Sequence, residues 1–369
     1  MMSTTTLYPR SLNPEAHQAS LLADALLEQL GRASVRSISP AAFAGRNGTW
    51  VLTLADGSKV FAKRFSEKSS TPRAFNRSLK FARFTHTHPH HAPASARLIA
   101  SNEIERLLIF DYCPGESLAS MVVEERVPAD FASRAGEILG RLHTAAPTGL
   151  EPTTISSPPI EMLHLGVPQA QYQNFTLAEI ALWAQLQSDN LLINAAVELR
   201  DWELQHQTSP IHADLRLDQF HLEENELLLL DWEEFGLGDP ARDLGMLAGE
   251  WIYRAVLDTV TSRGNAGAPP EHFDEELATA VMAQRMGMVV PQIQELWRSY
   301  TRIATGYDEQ LPVRATAHLG WHLIDRSIAR AAMVSRLPGI ERAAAGVGRK
   351  ALLSPGSYYQ ALGFGRSEH

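Results

Sequence analysis

The sequence predicts an α+β protein of two lobes, a small β-rich N-terminal lobe (residues 1–113) and a larger α-helical C-terminal lobe (residues 114–369). Three observations predict it. Short strand-like runs separated by turn signals crowd the first 113 residues. Past Pro114-Gly115 the apolar residues recur at helical spacing over long stretches. Within that helical part, Ile211–Asp231 stands apart as a short hairpin-like segment with an aspartate at each end of its polar loop and strand, Asp214 and Asp231.

Residues 1–20 carry little pattern. Helical spacing runs over His17–Leu30 and stops at Gly31. Trp50–Leu54, the turn Asp56-Gly57 and Val60–Phe65 read as a β-hairpin. Thr71–Phe84 reads as a helix with Phe75, Leu79 and Ala82 on one face, and Arg97–Ala100 and Leu107–Tyr112 read as two more strands. Ala129–Ala145 is an amphipathic helix, Pro147–Pro159 a long loop, and Leu177–Gln205 helical. After the hairpin-like segment come helices over roughly 242–262, 274–304 and 313–337, with Pro291 expected to kink or split the second. The tail from Ser354 is expected to be mobile.

Composition excludes several classes. A formal net charge of −9 leaves no overall electrostatic footprint for nucleic acid. No apolar run approaches the roughly 20 residues that span a bilayer, and the first residues, MMSTTTLYPRSLNPEAHQ, lack the apolar core of a signal peptide. The single cysteine, Cys113, rules out an intramolecular disulfide and suits a reducing cytoplasm. The expectation is a cytoplasmic protein with neither nucleic-acid nor membrane partners.

The chemistry concentrates in IHADLRLDQFHLEENELLLLDWEEFGLGDPARDL, residues 211–244. Asp214 opens a polar loop, and Asp231 ends the apolar run Leu227–Leu230. Metal-assisted phosphoryl transfer requires such a pair: one carboxylate orients a substrate hydroxyl, and the other holds Mg²⁺ against ATP phosphates. A charge directly after four leucines is costly to bury unless paired or metal-bound. Asp239 is a good N-cap ahead of Pro240, and Asp243 falls in the first helical turn, so both read as structural. Upstream, Gly45-Arg46-Asn47-Gly48-Thr49 is a turn whose backbone N–H groups could cover phosphates.

Three further clusters carry two readings each. Arg73, Arg77 and Lys80 share a helix face, either solvated or a dock for an acidic peptide. His86, His88, His90 and His91 could bind Zn²⁺ or belong to a loop. His318, His322, Arg326 and Arg330 make a polar stripe that either lines a substrate cleft or faces solvent.

The frame His212-Ala213-Asp214 through Gln219, with Asp231 seventeen residues after Asp214, resembles the catalytic core of the aminoglycoside phosphotransferase and choline kinase branch of the protein-kinase-like fold. The resemblance covers roughly residues 45–245 by motif and the later helices by pattern. It implies an ATP- and Mg²⁺-dependent kinase acting on an alcohol. Asp214 would be the catalytic acceptor of the hydroxyl proton. Arg216 would face the transferred phosphoryl group or else pair with Asp218. Gln219 stands where the family places a metal-binding Asn, one carbon–carbon bond longer, and Asp231 would be the principal metal ligand.

Lys63, in Val60-Phe61-Ala62-Lys63, resembles the strand lysine that binds ATP phosphates. Its usual helix glutamate is missing, because no Asp or Glu lies between Ser69 and Asn102. Asn76 is the nearest polar substitute, and Asp231 is an alternative partner. With Gly45, Asn47 and Gly48 over the phosphates, Asp111, Tyr112 and Cys113 would form the hinge whose backbone meets adenine.

A narrower resemblance rests on HADLRLDQF and LLDWEEFGLGDPARDLG with GRNGTW and VFAKRF upstream. This wording is similar to the kinase-like subunits of class V lanthipeptide and thioamitide biosynthesis, partners of a HopA1-type lyase. It implies phosphorylation of Ser or Thr in a ribosomal precursor peptide ahead of phosphate elimination by that lyase. Two other functions stay open: a kinase for a small antibiotic or metabolite alcohol, and a kinase-like peptide-binding module with little turnover.

Overall fold

The computed structural model describes residues 14–41, 47–66, 72–153, 157–260 and 275–365. Helix α1 (Pro14–Gln29) precedes strands β1 (Val35–Pro40), β2 (Gly48–Leu54) and β3 (Lys59–Arg64); helix α2 (Pro72–Thr87) precedes β4 (Leu98–Asn102) and β5 (Leu107–Asp111). The five strands form one antiparallel sheet in the order β1-β2-β3-β5-β4. Helix α1 stops where expected: Gly31 takes a left-handed φ of 67°, and Arg32 N–H closes onto Leu27 O at 3.0 Å. Strand β1 escapes the sequence reading because VRSISP lies at the sheet edge with mostly exposed side chains, so no apolar alternation marks it.

Period-two alternation decides what each sheet face does. Trp50, Leu52, Leu54, Val60, Ala62, Leu107 and Ile109 pack against Ala16, Ala19, Ala23 and Leu27 of α1. Burying a side chain such as Leu52 fully contributes about 1.5–3 kcal/mol. The alternate residues Thr49, Val51, Phe61 and Lys63 consequently face the C-terminal part of the molecule. Phe65, Phe75 and Leu108 seat α2 in a small cluster of their own.

The C-terminal part begins with β6 (Glu116–Ser117), α3 (Leu118–Val123) and α4 (Phe131–His143), followed by α5 (Ile160–Leu165), α6 (Gln169–Tyr172), α7 (Leu177–Ser188) and α8 (Asn190–Gln205). Then come β7 (Ser209–Ile211), a 3₁₀ turn (Leu217–Gln219), β8 (Phe220–Glu223), β9 (Glu226–Leu229) and β10 (Gly236–Gly238). Helices α9 (Pro240–Leu257), α10 (Glu275–Ile303), α11 (Leu311–Ala331), α12 (Gly339–Leu353) and α13 (Pro355–Tyr358) complete it. Strands β7 and β10 pair antiparallel, and β6-β8-β9 form a three-stranded sheet. Among the described residues no helix is long and apolar enough to cross a membrane.

Several expectations change. The helical stretch 177–205 is two helices, because Asp189 leaves the helix and caps α8 by accepting from Leu192 N at 3.1 Å. Helix α10 runs through Pro291 without splitting. The described part of the tail, residues 354–365, is docked rather than mobile: Phe364 is buried and meets the Trp297 ring edge-on at 5.8 Å, and residues 366–369 lie outside the described residues. The 147–159 loop carries strand-like bonds to β10, with Thr153 N–H on Leu237 O at 2.8 Å.

Helices α9 and α11 approach closely at Gly245, where an added Cβ would lie 2.3 Å from Ala315 O and 2.6 Å from His318 Cβ. Backbone cannot yield as a flexible side chain can. Gly245→Ala is expected to destabilise the protein by about 1–3 kcal/mol, read as a lower midpoint in urea. An unchanged midpoint would mean the two helices separate freely.

Candidate active site

Strand β7 carries the chain into His212-Ala213-Asp214, and α9 holds that loop from below. Asp243, fully buried, accepts His212 N–H at 2.7 Å and Ala213 N–H at 2.8 Å. Its neighbour Arg242 donates from Nε to Ala213 O at 2.8 Å. These three bonds hold Ala213 at φ 71°, a left-handed conformation costing roughly 1–3 kcal/mol for a residue with a side chain. Burial alone would raise the Asp243 carboxyl, but the His143 hydrogen bond at 3.1 Å and the neighbouring imidazoles and N–H donors outweigh it and hold the group below the usual range.

His212 donates from Nε2 to Leu230 O at 2.9 Å, so its Nδ1 is the acceptor, 3.4 Å from Asp214 N. The loop is thereby tied to the strand that delivers Asp231. Asp239 caps α9 through Ala241 N at 3.0 Å and receives Arg314 at 2.7 Å. The structural reading of Asp239 and Asp243 holds.

Asp231 follows β9 at φ 67° and pairs with Lys63 Nζ through Oδ1. Its other carboxylate oxygen has no hydrogen bond among the described residues, which suits it to a hard cation. Lys63 also meets Glu233 Oε2 at 2.7 Å, and that oxygen accepts from Asn47 Nδ2 at 2.8 Å. Burial works against the Lys63 charge, but Asp231 and Glu233 outweigh it and raise its pKa. Asp231 is shifted the opposite way: burial would raise it, and Lys63 with His212 and Arg216 brings it down. Both partners are therefore held charged.

Arg216 lies between two carboxylates, 3.2 Å from Asp218 and 3.8 Å from Asp214. Desolvation is overcome by these acids, and the guanidinium pKa rises. Of the two sequence readings of Arg216, the pairing with Asp218 is present, and the same guanidinium stands beside Asp214. Gln219 is buried; its Oε1 accepts Arg216 N–H at 2.9 Å, which fixes the amide orientation and leaves Nε2 without a partner among the described residues. Its unengaged end is a donor. An ion at Gln219 would have to share Oε1 with that N–H.

These groups surround a cavity of about 780 Å³ between the five-stranded sheet and the C-terminal part. Lys63, Arg216, Gln219 and Asp231 line it, and so do Asp111, Tyr112 and Cys113. Burial pushes the Cys113 thiol up to about 11. Asp214 is not among the lining residues; its carboxylate stands 3.8 Å from Arg216, which is. Gly48 begins β2 beside Asn47, where a Cβ would stand 2.3 Å from the Trp50 ring. Gly45 lies outside the described residues.

Asn76 is exposed and does not replace the missing helix glutamate; the second acid that Lys63 meets is Glu233, a contact that no local pattern signalled. Of the basic face on α2, Arg73 is exposed and Lys80 pairs with the exposed Glu151 at 2.7 Å, as a solvated face would have it, whereas Arg77 pairs with Glu234. On α11 only Arg330 of the stripe faces solvent. His318 and His322 are buried, His322 pairs with Glu250 at 2.8 Å, and Arg326 lies over the Tyr253 ring at 5.3 Å. His88 stacks on Phe84, and His91 bonds to Arg141 O at 2.9 Å.

Residues 38–280 match the model of APH, described as the phosphotransferase enzyme family. Among solved structures, the chain resembles the amicoumacin kinase hAmiN, in complex with AMP-PNP, Ca²⁺ and Ami, at 13% identity, with 93% of this chain and 96% of that one covered and a TM-score of 0.52. It resembles the choline kinase LicA from Streptococcus pneumoniae at 13% identity, covering 92% and 99%, with a TM-score of 0.51. A choline/ethanolamine kinase family protein from Mesorhizobium loti gives 14% identity, 95% and 99% coverage, and a TM-score of 0.51. At such identity the likeness is one of fold. No curated protein matches the chain.

Proposed function

The chain belongs to the APH phosphotransferase enzyme family, and on that premise we propose that it moves the γ-phosphoryl group of ATP to an alcohol hydroxyl. The observation that carries this reading is the meeting of Lys63 and Asp231 across a cavity that Arg216 also lines, with Asp214 beside Arg216. Lys63 binds the nucleotide phosphates, and the hinge 111–113 presents backbone to the adenine. Asp231 would hold Mg²⁺, which would supply charge neutralisation at the phosphates. Asp214 orients the acceptor hydroxyl and takes its proton as the new P–O bond forms and the bond to ADP breaks. Arg216 balances charge at the phosphoryl group. The Gln219 NH₂ is oriented to donate to a phosphate oxygen, and Oε1 keeps one lone pair for an ion.

The acceptor in this reading is Ser or Thr of a ribosomal precursor peptide, with a HopA1-type lyase eliminating the phosphate afterwards. Its support is the wording of residues 212–245 and an Arg at position 216. A small-molecule alcohol is the second reading, favoured by the amicoumacin and choline kinases that share the fold. A binding module without turnover loses one of its two supports, because Lys63 does have an acidic partner.

Calorimetry with ATP, with and without Mg²⁺, tests the nucleotide reading. Wild type is expected to bind in a Mg²⁺-dependent manner and Asp231→Asn to lose that dependence; a wild type that ignores ATP would sink it. A mass gain of one phosphate on a Ser/Thr-rich precursor peptide supports the first acceptor, and turnover of a small alcohol without peptide supports the second.

A further inference from the structure

We propose that Glu233 is the positioning residue for Lys63, carried by the segment after Asp231 in place of the acid that α2 lacks. This rests on the phosphotransferase reading and deepens it. The side of α2 that lines the cavity offers Ser78, Phe81, Ala82, Thr85 and His86, none of which is an acid. Helix α2 supplies a cation instead, Arg77, and it pairs with Glu234. The two acids therefore sit side by side on the segment after Asp231, one reaching β3 and the other reaching α2.

That segment is held firmly enough to act as a carrier. Trp232 stacks on Phe81 of α2 with ring centroids 3.6 Å apart and planes 4° apart. Its indole N–H donates to Leu229 O at 2.8 Å. Phe235 meets Phe81 edge-on at 5.3 Å. Glu233 in turn holds Lys63 at 2.7 Å and Asn47, at the start of β2, at 2.8 Å.

One carboxylate thus joins the lysine, the turn leading into β2 and the metal-binding segment. Asp231 cannot serve Lys63 alone once its charge is committed to a metal ion. Glu233 remains to keep the ammonium aimed at the phosphates. The Lys63 side chain is only 12% exposed, so without Glu233 its charge would lie in a poorly solvated place.

The test is a double-mutant cycle on the full chain, with Mg·AMP-PNP binding measured by calorimetry for wild type, E233Q, K63M and the double variant. E233Q is expected to weaken binding about tenfold, the scale of one charge-assisted hydrogen bond, and to add less than about twofold in the K63M background. A crystal structure of ligand-free E233A gives a second readout independent of nucleotide: the Lys63 side chain is expected to leave its place beside Asn47 and residue 233 and to turn toward Asp231. A full E233Q penalty persisting in K63M overturns the proposal, as does a Lys63 side chain that keeps its place in E233A. A wild type that binds no Mg·AMP-PNP overturns the phosphotransferase reading, while the position of Lys63 in E233A still decides whether Glu233 holds it.

Discussion

Asp214→Asn is expected to cut phosphate transfer by about 10²–10⁴ while leaving the fold and Mg²⁺-dependent ATP binding in place. The amide keeps the size of the carboxylate but cannot take a proton from the acceptor hydroxyl. Little of the surrounding structure depends on the charge. The Asp214 side chain is 35% exposed, and Arg216 retains Asp218 at 3.2 Å when Asp214 is neutral. The loop is held by Asp243 and Arg242 rather than by the Asp214 carboxylate. Initial rates of ATP-dependent phosphorylation, with calorimetry on the same samples, separate the chemical step from binding. Undiminished turnover in Asp214→Asn would remove its assigned role.

Asp243→Ala acts on the scaffold and is expected to cost about 3–5 kcal/mol, the scale for breaking a buried charged network from one side. The alanine leaves two buried N–H groups, on His212 and Ala213, without an acceptor and takes the carboxylate from the buried His143, which keeps Tyr300. Ala213 would also lose one of the bonds that keep it at positive φ. Urea denaturation should show a lower midpoint, together with loss of activity although the residue touches no substrate. The pH dependence has a definite sign. A carboxyl whose folded pKa lies below its unfolded value stabilises the protein above about pH 4, and that contribution is lost as pH falls further. Wild type should lose stability on acidification more steeply than Asp243→Ala. Equal midpoints at pH 7 would show that the loop is held by something else.

Much of the site was legible because its parts are local. The His212–Asp214 frame, the leucine run ending at Asp231, and the Asp239-Pro240 helix start all express themselves within a few residues. The direction of Lys63 was legible too, since alternation along β3 puts Phe61 and Lys63 on the face opposite Val60 and Ala62. The partner of Lys63 was half visible. Asp231 could be anticipated as the family's metal ligand nearby, whereas Glu233 is one of two adjacent acids that local pattern leaves equivalent.

The sequence by itself determined the two-part α+β organisation, the strand and helix faces, and the candidate acids of the catalytic segment. All of these follow from periodicity, capping and short-range spacing. Tertiary structure alone decided which charges meet. Lys63 and Asp231 are 168 residues apart, Arg77 and Glu234 157 apart, and His143 and Asp243 100 apart. No local rule pairs groups at such separations. Their pairing is set by how the sheet, α2 and α9 pack around the cavity, and by the cost of leaving any one of those charges buried alone.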